Sequence, residues 1–176
     1  MPDPGMKQEV EELFTRHMSY LTDNLAQGQI TLGEWQVSMR EDIRRSHALQ
    51  MIAGAGGDPA KVAPNDWLRL GSTIRRQDKF LEDFAQQIAA GEVDPASVGA
   101  RAELYAKSAS SEYSQQVTKE VDLPAHPGDG STVCLGNCGC SWEEHDDGWH
   151  WVRGKEDSCE DCIQREKDWA PYQAGD

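Results

Sequence analysis

No cysteine precedes position 134, and no run of apolar residues approaches the roughly 18 needed to cross a membrane. The first absence rules out disulfides and thiolate metal sites across most of the chain. The second rules out a helical membrane span, so no membrane partner is expected. Positive charge is also scarce, with 17 Lys and Arg against 31 Asp and Glu, for a formal net charge of −14. Such a chain repels phosphate backbones at long range, so nucleic acid is not expected as a general ligand. Met1-Pro-Asp-Pro-Gly5 has neither a basic region nor an apolar stretch, so no signal peptide is expected. Also missing are a phosphate-binding loop, a His-Glu-x-x-His pair, a deaminase signature and a plausible Ser/His/Asp set. No enzymatic activity is expected.

What remains up to about position 120 reads as helix. Val10, Leu13, Phe14, His17, Leu21 and Leu25 recur at helical spacing from about Met6, and Gly28 ends that segment. Thr31-Leu-Gly-Glu34 has the form of a capping box opening a second helix. Its expected buried stripe is Leu32, Trp35, Met39, Ile43 and Met51, with Arg40, Arg44 and Arg45 outside. Gly54-Ala-Gly-Gly57 breaks the chain. A third helix is expected from about Asp66 to Ala90, burying Trp67, Leu70, Ile74, Leu81, Phe84 and Ile88. Asp94-Pro95 then starts a fourth that runs to about Glu120, with Val98, Leu104, Tyr105, Ala109, Tyr113 and Val117 inward. The predicted fold is mainly α. About four helices form a bundle or helical hairpins over residues 1–122, followed by a linker at 123–133 and a small cysteine-rich module at 134–172.

All five cysteines fall between positions 134 and 162. An odd number cannot pair completely within one chain, and in a reducing compartment clustered thiols signal metal more often than disulfide. Structural zinc takes four thiolate or imidazole ligands from two short-spaced pairs. Cys159 and Cys162 make one pair, Cys134 and Cys138 the other, and Cys140 is the alternative ligand. Gly136 and Gly139 allow the sharp backbone of such a knuckle. Reduced thiols without metal, and disulfides in an oxidised particle, are the competing readings. Ferredoxin spacing is absent. Between the pairs, Trp142, Trp149 and Trp151 around Asp146-Asp-Gly148 predict a β-hairpin, so the module is zinc-ribbon-like. His145 and His150 are weaker ligand candidates, expected on the hairpin surface. The three tryptophans exceed what a hairpin alone buries, so they either pack on the helical body or present a partner site.

Several stretches together resemble the tailed-phage minor head proteins, also called head-morphogenesis proteins. They are Ile30-Thr-Leu-Gly-Glu-Trp35, Gln77-Asp-Lys-Phe-Leu-Glu-Asp-Phe-Ala85, Ala102-Glu-Leu-Tyr-Ala106, Gly136-Asn-Cys-Gly-Cys-Ser-Trp142, Cys159-Glu-Asp-Cys162 and Trp169-Ala-Pro171. The family tends to end in His-Pro-x-Cys-Arg-Cys. Here His126-Pro127 stands apart from Cys138, and Gly139 occupies the arginine position. The resemblance implies a structural role in the virion, assembled in the host cytoplasm. The implied partners are the portal and the major capsid protein, and a homo-oligomeric arrangement in the particle is compatible with it. A cytosolic zinc-ribbon adaptor or regulator is the alternative function.

Overall fold

The computed structural model describes residues 1–119, 121–127, 131–133, 140–153 and 159–173. Within them lie helices α1 (Pro4–Ala26), α2 (Leu32–Gly54), α3 (Pro64–Ala89), α4 (Pro95–Ser108), α5 (Ser110–Thr118) and α6 (Glu160–Asp168). A short 3-10 turn, Pro59–Lys61, precedes α3. Strands β1 (Ser141–His145) and β2 (Gly148–Val152) lie between α5 and α6. The protein is therefore mainly helical, with one small antiparallel sheet near its C-terminal end.

Local chemistry sets the helix limits. The Asp3 carboxylate accepts from the Met6 amide at 2.9 Å, and Pro4 occupies the first turn of α1, where its missing N–H costs nothing. Gly28, at φ 69°, follows the end of α1. The capping box at α2 is complete: Thr31 Oγ1 accepts from the Glu34 amide at 3.2 Å, and Glu34 accepts from the Thr31 amide at 2.8 Å.

The main core lies where α1, α2, α3 and α4 meet. Val10, Phe14, Met18 and Leu21 face Trp35, Met39 and Ile43, while Leu81 and Phe84 close one side and Ala102 and Tyr105 the other. Trp35 is fully buried, meets Phe84 edge-on at 5.9 Å, and donates from Nε1 to Thr22 Oγ1 at 3.2 Å. Removing a side chain of this size from water is worth roughly 3 kcal/mol, provided its N–H keeps a partner. A smaller cluster of Met51, Val62 and Leu70 secures the start of α3 against the end of α2.

The α2 stripe follows the expectation, since Trp35, Met39, Ile43 and Met51 are all inaccessible. On α1 the buried row is Val10, Phe14, Met18 and Leu21. Leu13 and His17, expected inside, stand at its edge, with Leu13 51% exposed. A row advancing by four and three residues leaves positions 13 and 17 about one residue's rotation off axis. Trp67, also expected inside, is 39% exposed at the first turn of α3.

The expected fourth helix is divided at Ala109. The hydroxyls of Ser108, Ser110 and Ser111 donate to the carbonyls of Tyr105, Lys107 and Ser108 at 2.7–2.9 Å. The amides of Ala109 and Glu112 likewise reach back only three residues. Serine back-bonding competes with the regular ladder and tightens the turn, which makes two helices of one.

Residues 121–127 run back along α5. Gln115 Nε2 donates to the Pro127 carbonyl at 3.2 Å, Thr118 Oγ1 meets His126 Nδ1 at 3.2 Å, and Leu123 is buried. The hairpin docks on this segment: Trp142 Nε1 donates to the Ala125 carbonyl at 2.8 Å.

Candidate metal centre

β1 and β2 pair in a register that sets Trp142 opposite Trp151, Glu143 opposite His150 and His145 opposite Gly148. Asp146 and Asp147 form the two-residue connection. Because side chains alternate between the faces of a strand, Trp142 and Trp151 share one face and the two histidines the other. On the tryptophan face the rings of Trp142 and Trp151 meet edge-on at 5.4 Å. Trp169 lies 5.7 Å from each, and Tyr172 lies 6.0 Å from Trp142. Tyr172 also exchanges two backbone hydrogen bonds with Trp149, at 2.8 and 3.0 Å, extending the edge of the hairpin. This cluster takes in two of the three hairpin tryptophans fully, and Trp149 packs against it while partly exposed. Trp142 and Trp151 are buried against each other, Trp169 and residues 121–127, and they are not an open docking surface.

Cys140 and Cys162 are buried in the same cluster, and Cys159 packs against it from a partly exposed position. Cys140 immediately precedes β1. Cys159 is the N-cap residue of α6, with Cys162 one turn in. The sequence motif was expected only as a knuckle, and α6 itself was not foreseen. Its signal was present in the charges: Glu160 and Asp161 in the first turn and Arg165 and Lys167 in the last complement the helix dipole. A helix N-terminus is also where thiolate charge is stabilised.

α6 is tied down on both sides. Asp161 Oδ2 accepts from the Val133 amide at 2.9 Å, and Arg165 donates to the carbonyl and hydroxyl of Ser131 at 3.2 and 3.0 Å. The Arg165 guanidinium lies 5.1 Å from the ring of Trp151 and 5.0 Å from that of Trp169. Arg153 Nε donates to Glu166 at 2.6 Å, joining the end of β2 to α6.

Cys134 and Cys138, two of the four preferred ligands, lie outside the described residues, as do Gly136 and Gly139. Among the described residues, no group of three or more His, Cys, Asp or Glu side chains is arranged to hold a metal ion. The surroundings nevertheless fit a thiolate-held ion. Cys159 and Cys162 stand at a helix N-terminus, Cys140 shares their apolar shell, and Val133, the residue bonded to Cys134, is fastened to Asp161 beside Cys162. His145 lies beside the turn of the hairpin and His150 at its central pair, both on the face opposite Trp142 and Trp151.

A separate groove of about 200 Å³ lies between α3 and α4, lined by Phe80, Asp83, Gln87, Arg101, Leu104 and Tyr105. Burial pushes the Tyr105 hydroxyl up to about 12, so it stays protonated at neutral pH. Arg101 is held over the Phe84 ring at 4.3 Å and donates to Gln87 at 2.8 Å.

Comparison with protein-family models, with curated proteins and with solved structures finds no match. Among the described residues, no helix is long and apolar enough to cross a membrane.

Proposed function

We propose that the chain is a structural, non-catalytic assembly protein of a tailed-phage head, acting near the portal or the inner capsid surface, and that its C-terminal module is closed by zinc. Cys134, Cys138, Cys159 and Cys162 would hold the ion, with Cys140 as the alternative ligand. The observation that carries the metal reading is the meeting of both cysteine segments at one aromatic cluster. Cys140 and Cys162 are buried there, and the Val133–Asp161 hydrogen bond brings the residue before Cys134 to the first turn of α6. When bound, the metal supplies cross-links between the two segments, worth on the order of 10 kcal/mol of folding free energy in a unit too small to bury much apolar surface. Four thiolates fill a tetrahedral ion and leave no position for a reactive water, which suits a structural role.

The virion role rests on the family resemblance. The body is compatible with it: Leu13, Tyr20, Val37 and Leu68 are large apolar side chains left at the surface, and assembly partners would cover them. Metal analysis of protein purified without chelator, with thiol titration before and after chelation, tests the zinc site. One zinc per chain and thiols hidden until chelation is the expected result. Recovery from intact particles at fixed stoichiometry tests the assembly role. A soluble chain bound to a host protein instead would favour the zinc-ribbon adaptor.

A further inference from the structure

We propose that Cys159 and Cys162 are a dithiol that closes into a reversible intrachain disulfide, with a small cationic disulfide as its preferred oxidant. Cys159 is the N-cap residue of α6, extended at φ −64° and ψ 159°, and Cys162 lies one turn inside the helix. Residues three apart on a helix have Cα atoms about 5 Å apart. That separation lies inside the roughly 4.4–6.8 Å that a disulfide accepts. The side chain of Cys159 makes no capping hydrogen bond to the first turn, so its Sγ turns toward Cys162 without breaking a cap. No second segment of the chain has to move.

Exposure sets the order of attack. Among the described cysteines, Cys140 is 3% exposed and Cys162 fully buried, whereas Cys159 is partly exposed. A small disulfide therefore reaches Cys159 first. The Cys159 thiolate attacks one sulfur of the oxidant, the S–S bond breaks, and one small thiolate leaves. Cys162 is packed with Trp142 and Trp151, so only a sulfur already bonded to Cys159 reaches it. Its thiolate attacks Cys159 Sγ in the mixed disulfide, and the second small thiolate leaves. The two cysteines lose two electrons to the oxidant, and their two protons go to the departing thiolates. Excess small thiol runs the sequence backwards. Charge selects the oxidant. Glu156, Asp157, Glu160 and Asp161 flank Cys159 in sequence, against Lys155 alone, on a chain of net charge −14. That potential repels anionic glutathione disulfide and attracts cationic cystamine. The rival partner is Cys134, because the amide of its neighbour Val133 donates to Asp161 at 2.9 Å. A chain carried from a reducing to an oxidising compartment would thus gain a clasp across the first turn of α6. Where the thiolates hold zinc, the new bond withdraws two ligands and releases the metal. Where they hold none, it forms all the same.

Treatment of the full chain, as purified, with cystamine or with glutathione disulfide tests this, read by non-reducing peptide mass mapping. A bond between Cys159 and Cys162 should be the main product in the unaltered protein, and dithiothreitol should reverse it. Cys159→Ser should leave Cys162 unmodified, and Cys162→Ser should stop at a mixed disulfide on Cys159. Cystamine should react at least about fivefold faster than glutathione disulfide at low salt, with the gap narrowing at about 1 M salt. Three results in the unaltered protein overturn the dithiol: no intrachain disulfide, pairing of Cys159 with Cys134, Cys138 or Cys140, or a mixed disulfide that persists on Cys159. Equal rates for the two oxidants at low salt overturn the charge selection. Zinc measured before and during oxidation tests the metal reading separately, since the disulfide does not require it.

Discussion

Arg69 on α3 donates a 2.7 Å hydrogen bond to Oε2 of Glu112 on α5, while Oε1 of the same carboxylate faces His47 Nδ1 on α2 at 3.4 Å. Glu112 is 1% exposed and His47 fully buried, so three helices are joined through one inaccessible carboxylate. Burial by itself would raise the Glu112 carboxyl, but the His47 hydrogen bond and the Arg69 charge together outweigh it and the net direction is down. A lowered folded-state value means stability that is present above the ordinary glutamate range and lost as pH falls through it. Glu112→Gln should therefore lower the unfolding free energy by about 3 kcal/mol at pH 7, near the low end for a broken buried pair because Arg69 is one-third exposed. The gap to the unaltered protein should narrow below pH 4.5. Urea unfolding at both pH values measures it, and a gap that widens on acidification would refute this account.

Asp42 has the opposite sign. Its carboxylate is 5% exposed and 2.5 Å from His17 Nδ1. Burial raises its value despite the His17 hydrogen bond and charge and the Arg45 charge. The raised group favours the folded state at low pH, and that contribution is lost as pH rises through the folded-state value. Asp42→Asn, which keeps an acceptor for His17, should leave the protein equally stable or up to about 1 kcal/mol more stable at pH 7. The advantage should disappear below the ordinary aspartate range. A loss of stability at pH 7 would show that the ionised pair is net favourable.

Chelation separates the two parts of the chain. Trp142, Trp149, Trp151 and Trp169 belong to the hairpin cluster, whereas Trp35 and Trp67 belong to the helices. If thiolate-bound zinc supplies the folding free energy of the C-terminal module, a chelator should red-shift tryptophan emission and erase the near-UV signal of the ring cluster. The far-UV helical signal should largely persist, since the core around Trp35 contains no cysteine. Unchanged emission on chelation would count against the metal.

The helices were readable because their signals are local. The Thr31–Glu34 box, the terminal glycines and the four-residue spacing of Trp35, Met39 and Ile43 act within one or two turns. Three features were not readable, because each depends on a contact distant in sequence or on competing hydrogen bonds. Leu13 fell outside because α2 and α4 together select the Phe14–Met18 side of α1. The division at Ala109 follows from serine hydroxyls competing for helix carbonyls. The buried charge of Glu112 needed Arg69, which is 43 residues away. At the candidate centre, the hairpin and its turn are legible from Asp146-Asp-Gly148, whereas α6 is nine residues long with no side-chain cap at Cys159, so it carries little local helix signal beyond its terminal charges.

Glycine to alanine should act in opposite directions at two helical positions. A Cβ on Gly54, the last residue of α2, would lie 2.6 Å from Gln116 Cβ and 2.8 Å from the Tyr113 carbonyl on α5. One of those neighbours is backbone, so the helices must separate, and overpacking of this kind costs about 1–3 kcal/mol. A Cβ on Gly99, inside α4, meets nothing within 4 Å. There the substitution only restricts the unfolded chain and should add about 0.5–1 kcal/mol. Thermal melts of Gly54→Ala and Gly99→Ala should therefore move to either side of the unaltered protein. A stabilised Gly54→Ala would mean that α2 and α5 are not in close contact, and the Glu112 site between them would lose its enclosure.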